Sequence, residues 1–142
     1  MRFRYRPRSS HGLVSDKDRK RQRAQRRGRA GERRASWFLR LKGYSILERQ
    51  WRCHQGEIDL IVRRGKILVF VEVKVRRSLA EAIESITVRQ RARICASAEI
   101  FLARRQAGRK LIGSAIHEVR FDVIAMTRNG IPRHLKDAWR PE

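Results

Sequence analysis

The chain of 142 residues carries 36 Lys and Arg against 14 Asp and Glu, a formal net charge of +22. This length is typical of one domain with one core, and a hydrophobic fraction of 41% excludes a wholly disordered chain. No stretch reaches the roughly 20 apolar residues of a membrane-spanning helix, so we expect no membrane association. Two cysteines cannot form a disulfide framework, which favours the cytoplasm. The charge excess predicts nucleic acid as the partner.

The positive charge is densest at the N-terminus. Residues 1–30 carry twelve Lys and Arg and two acids, with few apolar residues and no helical or strand period. We therefore predict a basic tail over residues 1–28, disordered or helical in part from Asp16 to Arg27, and a folded domain over residues 29–142. The tail is expected to bind phosphates without sequence preference.

The first predicted elements of the domain are a helix and three strands. A helix over residues 30–42, ended by Gly43, is predicted from apolar residues at spacings of three and four, flanked by Trp37. These apolar residues are Ala35, Phe38, Leu39 and Leu41. Strands are predicted over residues 44–52, 57–63 and 67–75. Because short connections join them, including a turn at Arg64 and Gly65, we expect an antiparallel meander.

The second half of the domain is predicted to be helical and then extended. A helical stretch over residues 79–106, with a break near Thr87, has an apolar face of Ile83, Ile86, Ile94, Ala98, Phe101 and Leu102. Gly108 and Gly113 bound a loop, and strands are predicted over residues 116–127 and 133–138. A strand–helix–strand step makes the third and fourth strands parallel, with a right-handed crossover. The fold class is α/β, with one mixed sheet and flanking helices.

Three charged residues interrupt the two most apolar strands. Glu72 and Lys74 lie two residues apart in the strand ILVFVEVKV, so their side chains share a face of the sheet. Asp59 interrupts the preceding strand, and pairing through the turn at residues 64 and 65 makes it a diagonal neighbour of Glu72. Two carboxylates and an ammonium on one face suit a Mg²⁺ site that hydrolyses a phosphate ester. The structural alternative is a same-face ion pair of Glu72 and Lys74, with Asp59 capping a turn.

Other chemical motifs are weak or absent. The cysteines and histidines lack zinc-ligand spacing, and no glycine-rich phosphate loop or nucleophile elbow is present. Asp122 interrupts the fourth strand, where we expect a structural role through Arg120 or a neighbouring backbone group. Trp51 and Trp139 are predicted to pack in or at the edge of the core.

Four segments together resemble the YraN-like family of small bacterial proteins. They are Gly31-Glu32, GEIDLI at residues 56–61, FVEVK at residues 70–74 and RFDV at residues 120–123. The family is similar to the archaeal Holliday junction resolvases and resembles a branch of the PD-(D/E)xK nucleases. The resemblance covers about residues 28–140 and implies a restriction-endonuclease-like αβββαβ core.

The resemblance implies roles for individual residues. Asp59, Glu72 and the main-chain carbonyl of Val73 are implied as ligands of Mg²⁺ or Mn²⁺, with Glu32 on the first helix as a further acid and Lys74 as the catalytic lysine. Two positions depart from the family pattern: Gln90 stands where a Lys is usual, and Gln50 stands where an Asn is usual. The expected nucleic-acid contacts are Arg29, Arg33, Arg76, Arg77, Gln90 and Arg91.

The sequence therefore predicts a Mg²⁺-dependent endonuclease-like protein acting on nucleic acid, DNA in preference to RNA, including branched DNA. Resolvase-like nucleases often act as symmetric dimers, so a homodimer is expected from the resemblance. One alternative is a non-catalytic nucleic-acid-binding module with a degenerate nuclease fold. Another is a basic protein that docks on RNA, for example on the ribosome, through its tail.

Overall fold

The computed structural model describes residues 15–107 and 116–142, in which three helices flank a five-stranded sheet. The helices are α1 (Asp16–Leu41), α2 (Leu79–Glu84) and α3 (Val88–Ala107). The strands are β1 (Ser45–Cys53), β2 (Gly56–Arg64), β3 (Ile67–Val75), β4 (Glu118–Met126) and β5 (Arg133–Trp139). Each predicted element is present, and the predicted break near Thr87 separates α2 from α3. The predicted loop between Gly108 and Gly113 lies outside the described residues.

The sheet has the strand order β1-β2-β3-β4-β5. β1, β2 and β3 form an antiparallel meander, β4 lies parallel to β3, and β5 lies antiparallel to β4. The α/β class and the restriction-endonuclease-like core of one mixed sheet are thereby confirmed. In the described part of the chain, no helix is long and apolar enough to cross a membrane.

The turn between β2 and β3 lies one residue later in the chain than predicted. Arg64 pairs with Ile67, so the turn is Gly65-Lys66, with Gly65 at a φ of 60°. The same register pairs Leu60 with Val71 and brings Asp59 level with Glu72, not diagonal to it. The short turn is available because glycine adopts a positive φ without a steric penalty.

Helix α1 starts earlier than the domain predicted from the sequence. The Ser15 side chain accepts a hydrogen bond from the backbone N–H of Asp18 at 3.1 Å, which caps the helix. The segment from Asp16 to Arg27 is the first part of α1, which continues without interruption into the domain. Residues 15–29 are exposed, and Gly31 is the first buried residue in the range that begins at Ser15.

Two helices bury different faces of the sheet. Ala35 and Leu39 of α1 pack on one face, whereas Ile94, Ala98 and Phe101 of α3 pack on the other. Two predicted apolar contacts are wrong, since Leu41 is 85% exposed and Ile83 is 38% exposed. Trp37, predicted to flank the apolar stripe of α1, is 64% exposed. These side chains flank the stripes that face the sheet, and a helix buries only about a third of its circumference.

The two remaining tryptophans are confirmed as packing residues. Trp51 makes an edge-to-face contact with Phe101, at 5.3 Å between ring centroids. Trp139, 8% exposed, stacks on Phe121 at 5.5 Å and donates a hydrogen bond to Cys95. Such contacts add to the hydrophobic stabilisation of the α3 side of the core.

The structural role of Asp122 is also confirmed. Its fully buried carboxylate accepts two hydrogen bonds of 2.8 Å from Arg120 and one of 3.0 Å from the backbone N–H of Asp137. Nε2 of His134 lies 2.6 Å from the same carboxylate. Burial alone would raise the pKa of Asp122, but these hydrogen bonds lower it below the ordinary value. The carboxylate therefore ties β4 to β5.

Candidate active site

The candidate site begins where the pairing between β2 and β3 ends. The last paired residues are Leu60 and Val71. Beyond them, the carboxylate of Asp59 accepts a hydrogen bond of 2.8 Å from the backbone N–H of Val73. A side chain thus bridges the two strands past their last backbone pair, which holds Asp59 against β3.

Glu72 and Lys74 lie next to this bridge on the face of β3 that α3 covers. The Lys74 ammonium lies 3.0 Å from the Glu72 carboxylate, and their side chains are 12% and 7% exposed. Gln90 of α3 donates a hydrogen bond of 2.8 Å to the same carboxylate oxygen. Gln90, expected from the sequence to contact nucleic acid, therefore positions Glu72 in the described structure.

Glu32 approaches from the opposite face of the sheet, on α1. Gln50 of β1 donates a hydrogen bond of 2.8 Å to the Glu32 carboxylate. The β1–β2 register places Gln50 level with Asp59, between the pairs Arg49–Leu60 and Trp51–Ile58. Gln50 has a φ of 47°, a conformation that costs a non-glycine residue free energy and is best tolerated by Asn.

A further acid joins the predicted set. Single carboxylate oxygens of Glu32, Glu57 and Asp59 all lie within 4.8 Å of one another. Glu57 and Asp59 are two residues apart on β2, so they share a side of the strand. Glu57 is exposed and forms an ion pair of 3.0 Å with Arg52. Glu72 is not a member of this close group but lies level with Asp59.

The crowding of acids changes their ionisation. Burial, followed by repulsion from the Glu72 carboxylate, raises the pKa of Asp59 to about 8. Burial also raises the pKa of Glu32, against the opposing effect of its hydrogen bond from Gln50. A divalent cation bound between these carboxylates would favour their charged forms and lower both pKa values.

The donor set fits a hard divalent cation. Carboxylate oxygens from α1, β2 and β3 converge, and such oxygens are the ligands that Mg²⁺ and Mn²⁺ prefer. The resemblance-derived ligands Glu32, Asp59 and Glu72 lie close together, and Val73 borders the same cleft. Glu57 adds a donor that the sequence reasoning did not assign.

Glu32, Asp59 and Glu72 line a cleft of about 1290 Å³ between α1 and the C-terminal end of β3. Its basic lining residues include Arg76 and Arg77, two of the residues expected to contact nucleic acid. The complete set of lining cations is Arg26, Arg27, Arg34, Lys74, Arg76, Arg77 and Arg128. The acids thus lie within a strongly positive rim, which attracts a polyanion to them.

The other predicted nucleic-acid contacts lie elsewhere. Arg29 and Arg33 line a second pocket on the far side of Glu32. Arg91 of α3 lies over the ring of Trp139, 6.0 Å from its centroid, and does not line either cavity. Of the six predicted contacts, two line the cleft, two line the second pocket, Gln90 binds Glu72 and Arg91 packs on β5.

Sequence reasoning missed the parts played by Glu57 and Gln50. Glu57 is part of the GEIDLI segment and lies two residues before Asp59 in a predicted strand. This spacing places both side chains on the same side of the strand and could have identified Glu57. Gln50 could not be assigned a contact with Glu32, because the two belong to elements that meet only through the packing of α1 on the sheet. Its signal was limited to the departure from the Asn expected there.

The chain matches the Uncharacterised protein family UPF0102 over residues 31–126. It is 46% identical over 123 residues to a UPF0102 protein of Paramagnetospirillum magneticum, covering 84% of this chain and 91% of the relative. It is 46% identical over 124 residues to one of Azorhizobium caulinodans, covering 87% and 90%. A third, of Erythrobacter litoralis, is 43% identical over 123 residues, covering 86% and 99%.

The matched region contains Glu32, Asp59, Glu72 and Lys74, the acids and lysine of the cleft. The family match begins within α1 and extends through β1, β2, β3 and α3, the elements that hold the site residues, to the end of β4. The resemblance drawn from the sequence motifs is confirmed: the chain belongs to the UPF0102 family, the YraN-like proteins with a nuclease-like fold.

Proposed function

We propose that this protein is a Mg²⁺- or Mn²⁺-dependent endonuclease that hydrolyses phosphodiester bonds, with DNA preferred over RNA. The observation that carries the proposal is the convergence of Glu32, Glu57 and Asp59 beside the Glu72–Lys74 pair. A protein of net charge +22 attracts phosphates, yet its cleft places acids among its cations. A protein that only binds nucleic acid gains nothing from carboxylates that repel the phosphates.

Each side chain has a role that follows from its position. Glu32, Asp59 and Glu72 would hold the cation, with Glu57 as a further donor. When bound, a divalent cation polarises a phosphoryl oxygen and lowers the pKa of a bound water. Lys74, adjacent to Glu72 and largely shielded from solvent, is placed to orient water and to offset negative charge that develops on the phosphate. Gln50 and Gln90 fix the rotamers of Glu32 and Glu72.

Cleavage assays on linear, single-stranded, flap and four-way-junction DNA test the proposal, with Mg²⁺, Mn²⁺ or EDTA. The wild type should cleave at least one substrate only with a divalent cation. Asp59→Asn and Lys74→Gln should each lower the cleavage rate by at least about a hundredfold, whereas Kd for DNA in EDTA should change less than about threefold. Separating cleavage from binding tests the role of the acids.

A matched control removes a charge away from the cleft. Glu99→Gln alters an exposed acid of α3 and should leave both cleavage and binding unchanged. If the wild type binds DNA tightly but cleaves none of the four substrates with either cation, the endonuclease proposal is wrong. That outcome would favour the non-catalytic nucleic-acid-binding alternative.

A further inference from the structure

A second pocket lies next to the acidic cleft and shares Arg26 and Glu32 with it. Its volume is about 460 Å³, and it lies between α1 and β1. Three of its arginines, Arg26, Arg29 and Arg33, are spaced three and four residues apart and so lie along one side of α1. The residues that line it are Arg26, Arg29, Glu32, Arg33, Ser36, Arg49 and Gln50.

The four arginines of this pocket form no ion pair within the part of the chain that the structure describes. Among residues 15–107 and 116–142, none of Arg26, Arg29, Arg33 and Arg49 has a carboxylate within ion-pair distance. Glu32, the acid of the pocket, accepts the hydrogen bond from Gln50 and faces the cleft acids. Four guanidinium groups around this concave site outnumber the single carboxylate of Glu32, and they repel each other unless a further anion joins them.

A buried hydroxyl independently indicates a missing partner. Ser36 is 1% exposed, borders the pocket, and its Oγ has no hydrogen-bond partner in the described structure. An unsatisfied buried polar atom costs free energy and persists where a ligand or a function requires it. A hydroxyl can donate to a phosphate oxygen, as arginine does.

We infer that this arginine pocket binds a phosphate group of a nucleic-acid strand, adjacent to the phosphate that occupies the acidic cleft. Glu32 separates the two cavities, so one strand can place neighbouring phosphates on either side of it. The Gln50–Glu32 hydrogen bond forms the boundary between the cation site and the phosphate site. The path of one strand through both cavities rests on the proposed function, whereas the binding of phosphate in the arginine pocket does not.

Binding of fluorescent 12-nucleotide oligothymidylates to the full chain in EDTA tests the inference without any cleavage. Arg33→Gln/Arg49→Gln should weaken binding by about tenfold or more and should lower the slope of log Kd against log salt by about 0.7, the loss of one phosphate contact on a single strand. Ser36→Ala should weaken binding a few-fold while the melting temperature stays the same or rises. A merely structural serine would not move the affinity.

The matched control is Arg64→Gln/Lys66→Gln, which removes two exposed positive charges at the β2–β3 turn, at the opposite end of the sheet. If Arg33→Gln/Arg49→Gln weakens binding no more than this control, the arginine pocket is not a phosphate site. The same conclusion follows if Ser36→Ala leaves Kd unchanged.

Oligonucleotides with a 5′-phosphate, a 3′-phosphate or free hydroxyl ends identify the source of the phosphate. If the three oligonucleotides bind with equal affinity and Arg33→Gln/Arg49→Gln weakens the binding of each, the pocket binds an internal phosphodiester. If the wild type prefers an oligonucleotide with one phosphorylated end and the variant loses this preference, the pocket binds a terminal phosphate. Because every arm is run in EDTA, a failure of cleavage would leave these results standing. If the wild type cleaves DNA and the pocket variants bind it as tightly as the wild type, the phosphate pocket is wrong and the endonuclease proposal stands.

Discussion

The side-chain amide of Gln50 on β1 donates a hydrogen bond of 2.8 Å to the carboxylate of Glu32 on α1. This contact connects an edge strand to the helix on its face and sets Glu32 beside Asp59 and Glu57. Because Gln50 has a φ of 47°, the chain retains a strained residue at the point where its side chain orients an acid.

Replacing Gln50 with Gly should separate stability from activity. Glycine relieves a backbone cost of about 1 kcal/mol but removes the donor that orients Glu32. We expect an unfolding free energy that is unchanged or higher by up to about 1 kcal/mol, measured in urea, and a cleavage rate about tenfold lower. Asp137→Gly, at a φ of 52° outside the cleft, is the control and should leave cleavage unchanged. Equal cleavage by both variants would contradict the positioning role of Gln50.

Asp59→Asn should stabilise the cation-free protein, and increasingly so as the pH rises. The folded-state pKa of Asp59, about 8, lies above the unfolded value near 4. The wild type therefore loses stability as pH rises from about 4 through 8, whereas the variant, which keeps an acceptor for the Val73 N–H, does not. Urea unfolding in EDTA should show a gain of about 2–4 kcal/mol at pH 8 and little at pH 4.

The same measurement has two further arms. Glu99→Gln, at an exposed position of α3, should show no comparable dependence on pH. Saturating Mg²⁺ or Mn²⁺ should stabilise the wild type more than Asp59→Asn, because the cation binds the carboxylate of the folded state. A gain for Asp59→Asn that is the same at pH 4 and pH 8 would show that ionisation of the Asp59 carboxyl is not its cause.

Gly31 and Gly28 of α1 should respond in opposite directions to alanine. A Cβ at Gly31 would lie 2.5 Å from Cγ2 of Val75, where α1 packs on β3, whereas a Cβ at Gly28 meets no atom within 4 Å. Gly31→Ala should therefore lower the unfolding free energy by about 1–3 kcal/mol in spite of the better helix propensity. Gly28→Ala should raise it by about 0.5–1 kcal/mol.

A second-site change tests the cause of the Gly31 effect. Val75→Ala removes the methyl group that the new Cβ would meet, so Gly31→Ala/Val75→Ala should be more stable than the sum of the single changes allows. Additive losses in thermal or urea unfolding would mean that the close approach of α1 to β3 is not what requires glycine at this position.

Asp122→Asn should destabilise the fold at neutral pH and remove part of its acid sensitivity. The buried carboxylate makes four polar contacts with three residues, and breaking a buried charge pair costs about 3–5 kcal/mol. Because its folded-state pKa is lowered, its contribution is present above the unfolded pKa near 4 and is lost as pH falls through the folded value. Unfolding between pH 2 and 7 measures this, with the exposed Asp137→Asn as the control that changes little.

Much of the site could be predicted from the sequence because strands have a period of two. The alternation in residues 67–75 places Glu72 and Lys74 on one face, and the structure pairs them at 3.0 Å. Asp59 was assigned to the adjacent strand by the same reasoning. Its register was wrong by two residues because a one-residue difference in the position of a turn moves both strands that it joins.

The sequence alone determined the order of helices and strands, the mixed sheet and the three charged residues that interrupt its core strands, since these depend on local periodicity and short connections. Only the tertiary structure decided which side chains meet across elements: Gln50 with Glu32, Gln90 with Glu72, and Glu57 with Asp59 and Glu32. It also decided that Leu41 and Trp37 remain exposed. The reason is that such contacts depend on the angle and distance at which a helix packs on a sheet, and local periodicity contains no information about either.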